Sequence, residues 1–267
     1  MARDHYTHGH HESVLRSHRW RTAANSAGFL LPHLRAGLTL LDVGCGPGTI
    51  TADLSRLVGD GEVMGIDRSS DVVAAAAADF PRSRFPNLRF TTGDVYQLDF
   101  ADESFDVVYA HQVLQHLADP VAALGEMRRV LRVDGILAVR DADYGAFVWF
   151  PADPVLDRWL AAYHRVTERN SACADAGRQV HAWVRRAGFT DMVISSSNWT
   201  YATDAERAWW GGLWADRLLA SDLARQLVDY GVADADELAE YADAFRRWAE
   251  DPDGIFVVPN GEVLARR

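Results

Sequence analysis

A short apolar run, Leu38–Val43, breaks into three glycines within five residues, Gly44-Cys45-Gly46-Pro47-Gly48, and a helical pattern starts at Thr49. Glycines let a chain turn tightly and let a ligand approach backbone that no Cβ shields. The helix that follows offers unpaired N–H groups and a partial positive charge at its start. The segment therefore reads as strand, turn and helix. The same rhythm continues. Thr49–Val58 reads as a helix, Glu62–Ile66 as a strand and Asp71–Asp79 as an alanine-rich helix. Leu88–Thr92 and Phe105–Ala110 read as strands, Pro120–Leu131 as a helix and Gly135–Arg140 as a fifth strand. Strands alternating with helices make a parallel sheet joined by right-handed crossovers. Ligands in such sheets bind at the carboxyl ends of the strands.

The flanks are different. Ser13–Leu34 carries a helical pattern, with Val14, Ala23, Ala27, Leu30 and Leu31 on one broad face and Pro32 disturbing it. After Asp141 the chain is mostly helical and rich in aromatics, with a sixth strand at Val193–Ser197. A helical insertion spans Asp204 to Glu250, and a last strand at Gly254–Pro259 is expected to run antiparallel. The fold class read from this is α/β: a Rossmann-like, seven-stranded, mostly parallel sheet with helices on both faces. Residues 1–36 form an N-terminal helical cap and 37–143 the cofactor-binding core. Residues 144–267 supply substrate-pocket helices and the final strands of the same domain.

The 267 residues carry a formal charge of −11, and the arginine pairs 128–129, 185–186 and 246–247 are isolated rather than a stripe. Nucleic acid is a poor partner for such a surface. Two cysteines, Cys45 and Cys173, make no disulfide framework, so a reduced, cytoplasmic protein is expected. No apolar run has the length of a membrane span or the form of a signal peptide. Stable membrane insertion is not expected, and a homo-oligomer is left open. His5, His8, His10, His11 and His18 crowd the N-terminus without zinc-ligand spacing, so no metal is expected.

Three ligands compete for the glycine turn. A dinucleotide fingerprint wants G-x-G-x-x-G, but here the third glycine comes one residue early, at Gly48. A phosphate-cradling loop wants a Gly-Lys-Ser/Thr end, and no lysine is present. S-adenosylmethionine, a sulfonium nucleoside without phosphate, is the third. The run Asp42-Val43-Gly44-Cys45-Gly46-Pro47-Gly48 resembles motif I of the class I S-adenosylmethionine-dependent methyltransferases. Gly65-Ile66-Asp67-Arg68-Ser69, Thr92-Gly93-Asp94-Val95, the stretch Phe105–Leu117 and the stretch Val130–Leu137 follow in the order that family shows. The resemblance is to its small-molecule branch, which includes the ubiquinone and menaquinone methyltransferases. It covers about residues 10–140.

That resemblance implies roles. Gly44, Gly46 and Gly48 would pack against the methionine and ribose, and Asp42 would help hold the ammonium group. Asp67, beside Arg68, would accept both ribose hydroxyls. Asp94 and the Val95 backbone would read adenine, and the backbone at Ala110 and His111 would lie near the methionine part. The stretch Val14–Ala23 resembles the helical cap of the same branch. It makes Tyr6, His18 and above all Arg21 candidates, the last for the methionine carboxylate. His111 is the candidate general base, with His116, His164 and His181 as weaker candidates. Phe147, Trp149, Asn170, Arg178 and Trp199 are candidates for the acceptor pocket. The function expected is methyl transfer to a small hydrophobic or aromatic acceptor of natural-product or quinone type. The alternatives are an NAD-type oxidoreductase on a related fold and a non-catalytic cofactor-binding protein.

Overall fold

The computed structural model describes Thr7 and residues 12–267. Helices α1 (Glu12–Arg19) and α2 (Ala23–Ser26) and a 3-10 turn at Leu31–His33 precede β1 (Leu40–Val43). Then come α3 (Thr49–Leu57), β2 (Val63–Asp67), α4 (Ser70–Asp79), β3 (Leu88–Thr92), β4 (Phe105–His111), α5 (Pro120–Val130) and β5 (Leu131–Ala142). The rest is β6 (Val148–Phe150), α6 (Pro154–Arg169), α7 (Val180–Arg186), β7 (Asp191–Tyr201), α8 (Asp204–Ala220), α9 (Asp222–Asp229), α10 (Ala235–Glu250) and β8 (Ile255–Arg266). The helix anticipated over Ser13–Leu34 is broken. Thr22 starts a new one, its hydroxyl accepting from the Asn25 N–H at 3.2 Å while the Asn25 side chain accepts from the Thr22 N–H at 2.8 Å.

The strands form one sheet in the order β3-β2-β1-β4-β5-β8, with β1 to β5 parallel. β8 runs antiparallel to β5 and, on its other edge, to β7. The eighth strand is the unexpected β6, which continues the line of β5 along β8. Reading the last strand as ending at Pro259 was too short. β8 passes through that proline because β5 pairing stops at Asn260 and β6 pairing starts at Val257. The missing N–H thus falls in the gap between two partners on one edge, while β7 stays paired on the other at Asn198, a place a ladder tolerates proline.

Three apolar layers fix the sheet. One face, with Leu40, Tyr109, Ala138 and Leu264, packs on Ala23, Ala27 and Leu30 and on α3. The other, with Leu41, Val108, Leu137 and Val263, packs on α5 and α7. A third cluster, built on Trp159, Trp214, Phe245 and Phe256, joins α6, α8, α9 and α10. Two hydrogen bonds tie the N-terminal segment onto the strand ends: Tyr109 hydroxyl to the Ser26 carbonyl at 2.9 Å, and Trp199 indole to the Asn25 carbonyl at 2.7 Å. No described helix is long and apolar enough to cross a membrane.

At Gly261 of β8 the sheet meets the 3-10 turn at Ala176–Arg178 so closely that a Cβ would lie 1.8 Å from the Gly177 carbonyl oxygen. Backbone against backbone cannot rotate away. Gly261→Ala is therefore expected to destabilise the protein by at least about 2 kcal/mol, as overpacking of a close contact does. Denaturant unfolding measures it, and a loss under about 0.5 kcal/mol would contradict the packing described.

Candidate functional site

The carboxyl ends of β1, β2, β3 and β4 open onto a cleft of about 1230 Å³. Each strand delivers one group to it because the residue closing a strand lies at the sheet's carboxyl edge. β1 brings Asp42, β2 brings Asp67, the loop after β3 brings Asp94 and Val95, and β4 brings His111. Gly44, Gly46, Arg21, His18 and Arg68 also line it. A Cβ on Gly46 would find nothing nearer than the His18 ring nitrogen at 3.9 Å, so that side of the turn is open to a ligand.

The cleft sets carboxylates beside the cations Arg21 and Arg68. Asp67 accepts from the Gly46 N–H at 3.1 Å and from the Ser69 N–H at 3.0 Å, one on each oxygen. Each oxygen keeps a second lone pair for a ligand. Asp94 accepts from the Tyr96 N–H at 2.9 Å. Asp42 is 3% exposed and accepts from the Thr51 hydroxyl at 2.7 Å. Burial, and then the neighbouring charge of Asp67, raise its pKa to about 7, while the Thr51 bond works the other way.

A pyrophosphate would need backbone amides at this turn. Three of them are already used: Cys45 N–H goes to the Ile66 carbonyl, Gly46 N–H to Asp67 and Gly48 N–H to the Cys45 carbonyl. With buried Asp42 below and Asp67 beside it, the turn suits a cationic nucleoside better than a dinucleotide.

His111 is buried, and among the described residues neither ring nitrogen has a side-chain hydrogen-bond partner. Burial first, then Arg21 and Arg140, push its pKa well below the usual value. His116 also borders the cleft, bonded by Gln115 at 3.0 Å, with its pKa pushed down to about 3 by desolvation. In the sheet, His111 pairs in register with Arg140, and Arg140 with Glu262. The Arg140 Nε meets Glu262 at 3.2 Å, and the guanidinium lies 4.5 Å from the Trp199 ring centre.

A second cavity of only about 30 Å³, room for one water, adjoins the cleft. Trp20, Phe147, Trp199, Tyr201 and Trp209 line it, together with Arg217, and it shares only Arg21 and Gln112 with the cleft. Arg21 donates to Gln112 at 2.6 Å and lies 5.4 Å from the Trp199 ring centre.

Other expected residues lie elsewhere. Ala110 faces the core on the opposite side of β4, and Gly48 packs toward Phe90 and Ala76 rather than into the cleft. Trp149 of β6 stacks on Phe256 of β8. Asn170 is buried and lines neither cavity, donating to Thr7 and Gln226. Arg178 forks onto Asp143 at 2.7 and 2.5 Å. His164 is bonded to Asp175 at 2.8 Å. Tyr6, His5, His8, His10 and His11 lie outside the described residues. Sequence reasoning missed Gln112, Arg140, Glu262 and Arg217. The one signal for Gln112 is its place after β4, where its φ is +53°.

Residues 34–205 match the family model described as a methyltransferase domain. The chain is 32% identical over 270 residues to an uncharacterised methyltransferase of Schizosaccharomyces pombe, covering 98% of this chain and 96% of that one. It is 32% identical over 277 residues to the probable methyltransferase ltbC of Aspergillus luteorubrus, covering 97% and 96%. Among solved structures, the YcgJ protein of Bacillus subtilis superposes with a TM-score of 0.59 at 22% identity, covering 90% of this chain and 97% of that one.

Asp42 has a stability consequence. Its folded pKa of about 7 exceeds the ordinary carboxyl value, so the folded chain holds a proton that the unfolded chain has lost. The stabilising contribution is full at acid pH and lost as pH rises through about 7. Ligand-free Asp42→Asn, which mimics the protonated group, is expected to melt at least about 3 °C above the unsubstituted protein at pH 8.5, with the gap shrinking at pH 5.5. A variant that melts lower at pH 8.5 would contradict this.

Proposed function

The chain belongs to the class I S-adenosylmethionine-dependent methyltransferases, and from that premise we propose that it methylates a small hydrophobic or aromatic acceptor held between Trp199 and the amino-terminal segment. One observation supports this most: a cleft lined by carboxylates and a small aromatic cavity, with no carboxylate among its described lining residues, meet at Arg21 and Gln112. The first suits a cationic cofactor and the second an apolar acceptor.

S-adenosylmethionine supplies an electrophilic methyl on sulfur. The residues in the cleft would bind and orient it. Asp67 accepts from the ribose hydroxyls, and Asp94 and the Val95 N–H read the adenine edge. Asp42 stabilises the ammonium end from below the turn, and Arg21 faces the carboxylate. Gly46 leaves room for the methionine and ribose, while Gly44 and Gly48 shape the turn. Positioning of this kind can supply much of the rate, since effective molarities reach on the order of 10⁵ M or more.

His111 stands where β4 meets the acceptor side, edge-on to Trp199 at 5.5 Å between ring centres. Its burial keeps it neutral, so it does not add to the positive charge around a sulfonium. A neutral imidazole can take a hydrogen bond from the acceptor's hydroxyl or amine as that group attacks. Phe147 and Trp199 enclose the acceptor. Asn170, Arg178 and Trp149 support the surrounding structure instead.

Two outcomes test these assignments. Asp67→Ala is expected to weaken S-adenosylmethionine binding ten-fold or more, as loss of a hydrogen-bonded charged contact does. Calorimetry reads this, and unchanged affinity in a folded variant would count against the cleft as the cofactor site. His111→Ala is expected to lower kcat more than it raises the cofactor Kd. Undiminished methyl transfer to an acceptor found by labelled-cofactor screening would remove His111 from the reaction.

A further inference from the structure

Strands β6, β7 and β8 extend the sheet as an antiparallel unit, and its two faces have opposite fates. Side chains alternate between the faces of a strand, so the register sorts them. Trp149, Trp199, Tyr201, Phe256 and Val258 share one face and pack into the cluster built on Trp159 and Phe245. Val148 and Phe150 of β6, Ile255 and Val257 of β8 and Ile194 of β7 lie on the other face. There Val148 is 58%, Phe150 56% and Ile194 57% exposed. On β8, α7 and the 3-10 turn at Ala176–Arg178 cover this second face only from Gly261 onward, where Val263 and Ala265 join Val180 and Val184.

An antiparallel sheet that turns one face to water normally makes that face polar. Here the remaining β7 positions, Ser196, Asn198 and Thr200, are uncharged, and so is every other residue these strands place on that face from Met192 to Thr200 and from Ile255 to Gly261. The chain as a whole is 24% charged, so an uncharged stretch of this extent stands apart from the rest of its surface. Exposed apolar surface of this kind marks a docking site.

We propose that this face docks on the same face of a second copy of the chain, the two sheets stacked about a two-fold axis. The absence of charge selects the occupant. Partners of different sequence are chosen, and wrong ones excluded, largely through complementary charges, and this face offers none to read. A second copy needs none, because a two-fold axis sets the same patch against itself, apolar on apolar. The charge of −11 then stays outside the contact, where salt screens the repulsion. The shape fits too, since sheets stack about 10 Å apart with their strands roughly 30° from parallel. At about 4.8 Å between strands and about 3.3 Å per residue, the open face measures on the order of 15 by 30 Å. Two such faces with their rims bury about 1,000 Å², the lower limit for a specific interface. The dimer is accordingly a micromolar one.

The test is sedimentation equilibrium of the full chain from about 1 to about 200 μM at about 0.15 M salt. A monomer–dimer equilibrium is expected, reaching twice the chain mass at the upper end. Phe150→Asp sets a charge in each half of the interface and is expected to weaken association at least ten-fold. Thr200→Arg adds a charge on the same face at an exposed position without removing an apolar side chain, and the same loss is expected; it decides the matter should Phe150→Asp fail to fold. Val133→Asp, at an exposed apolar residue near the start of β5, is expected to leave association within two-fold. A chain that stays monomeric at about 200 μM would overturn the inference, the face then being open or meeting a different protein. A dimer that persists unchanged in both Phe150→Asp and Thr200→Arg would overturn it as well, by placing the contact elsewhere. Dimerisation does not depend on the cofactor site, so either can fail without the other.

Discussion

Burying the carboxylate of Asp42 under the glycine turn costs free energy that a cation in the cleft would return, and the proposed site is arranged around that constraint. β1 is flanked by β2 and β4, so Asp42 has strand on both sides. It accepts a hydrogen bond from the Thr51 hydroxyl, and burial still outweighs it. Asp67 adds like charge from the next strand and clamps Gly46. With three turn amides used internally, the turn presents carboxylates more than donors. A ligand bearing an ammonium and a sulfonium meets that field favourably, and a pyrophosphate does not.

The other half of the site reverses the sign. Across the strands that carry Tyr109, His111, Arg140 and Glu262, one face of the sheet holds a buried polar ladder beneath the N-terminal segment. Arg140 is tied to Glu262 and lies behind Trp199, while Arg21 lies on the same indole. His111 sits where the two fields meet and stays neutral because both burial and the arginines disfavour its charged form. The proposed acceptor space, aromatic with cationic groups near it, thereby lies next to the carboxylate-bearing cleft proposed for the cofactor. The two are separated by Gln112 and Arg21.

Much of this was legible in the sequence wherever strand and ligand group are neighbours in the chain. The placement of Asp42, Asp67 and Asp94 at the cleft was legible because a strand followed by a turn fixes its last residues at the sheet edge. The parallel core was legible for the same reason. Contacts between distant segments were not. Arg217 reaches Ser17 across 200 positions, and no local pattern announces that α8 will lie under α1. Asn170 and Arg178 looked like ligand-orienting groups in a helical region, but their partners are Thr7, Gln226 and Asp143. Periodicity shows that such a residue is on a helix or its end. It does not show which distant chain will satisfy its polar atoms. Pro259 hid the length of β8, because its place beside the gap between β5 and β6 exists only once the sheet is assembled.

The charge state of Asp42 gives the most direct test. If the cofactor's cationic end lowers a carboxyl pKa that stands at about 7 in the free protein, binding at pH 7 must release protons. Calorimetric titration with S-adenosylmethionine in buffers of different ionisation enthalpy counts them. About half a proton is predicted to leave the unsubstituted protein on binding at pH 7, and almost none to leave Asp42→Asn. Tight binding with no proton release from the unsubstituted protein, or with the same release from both proteins, would contradict the account.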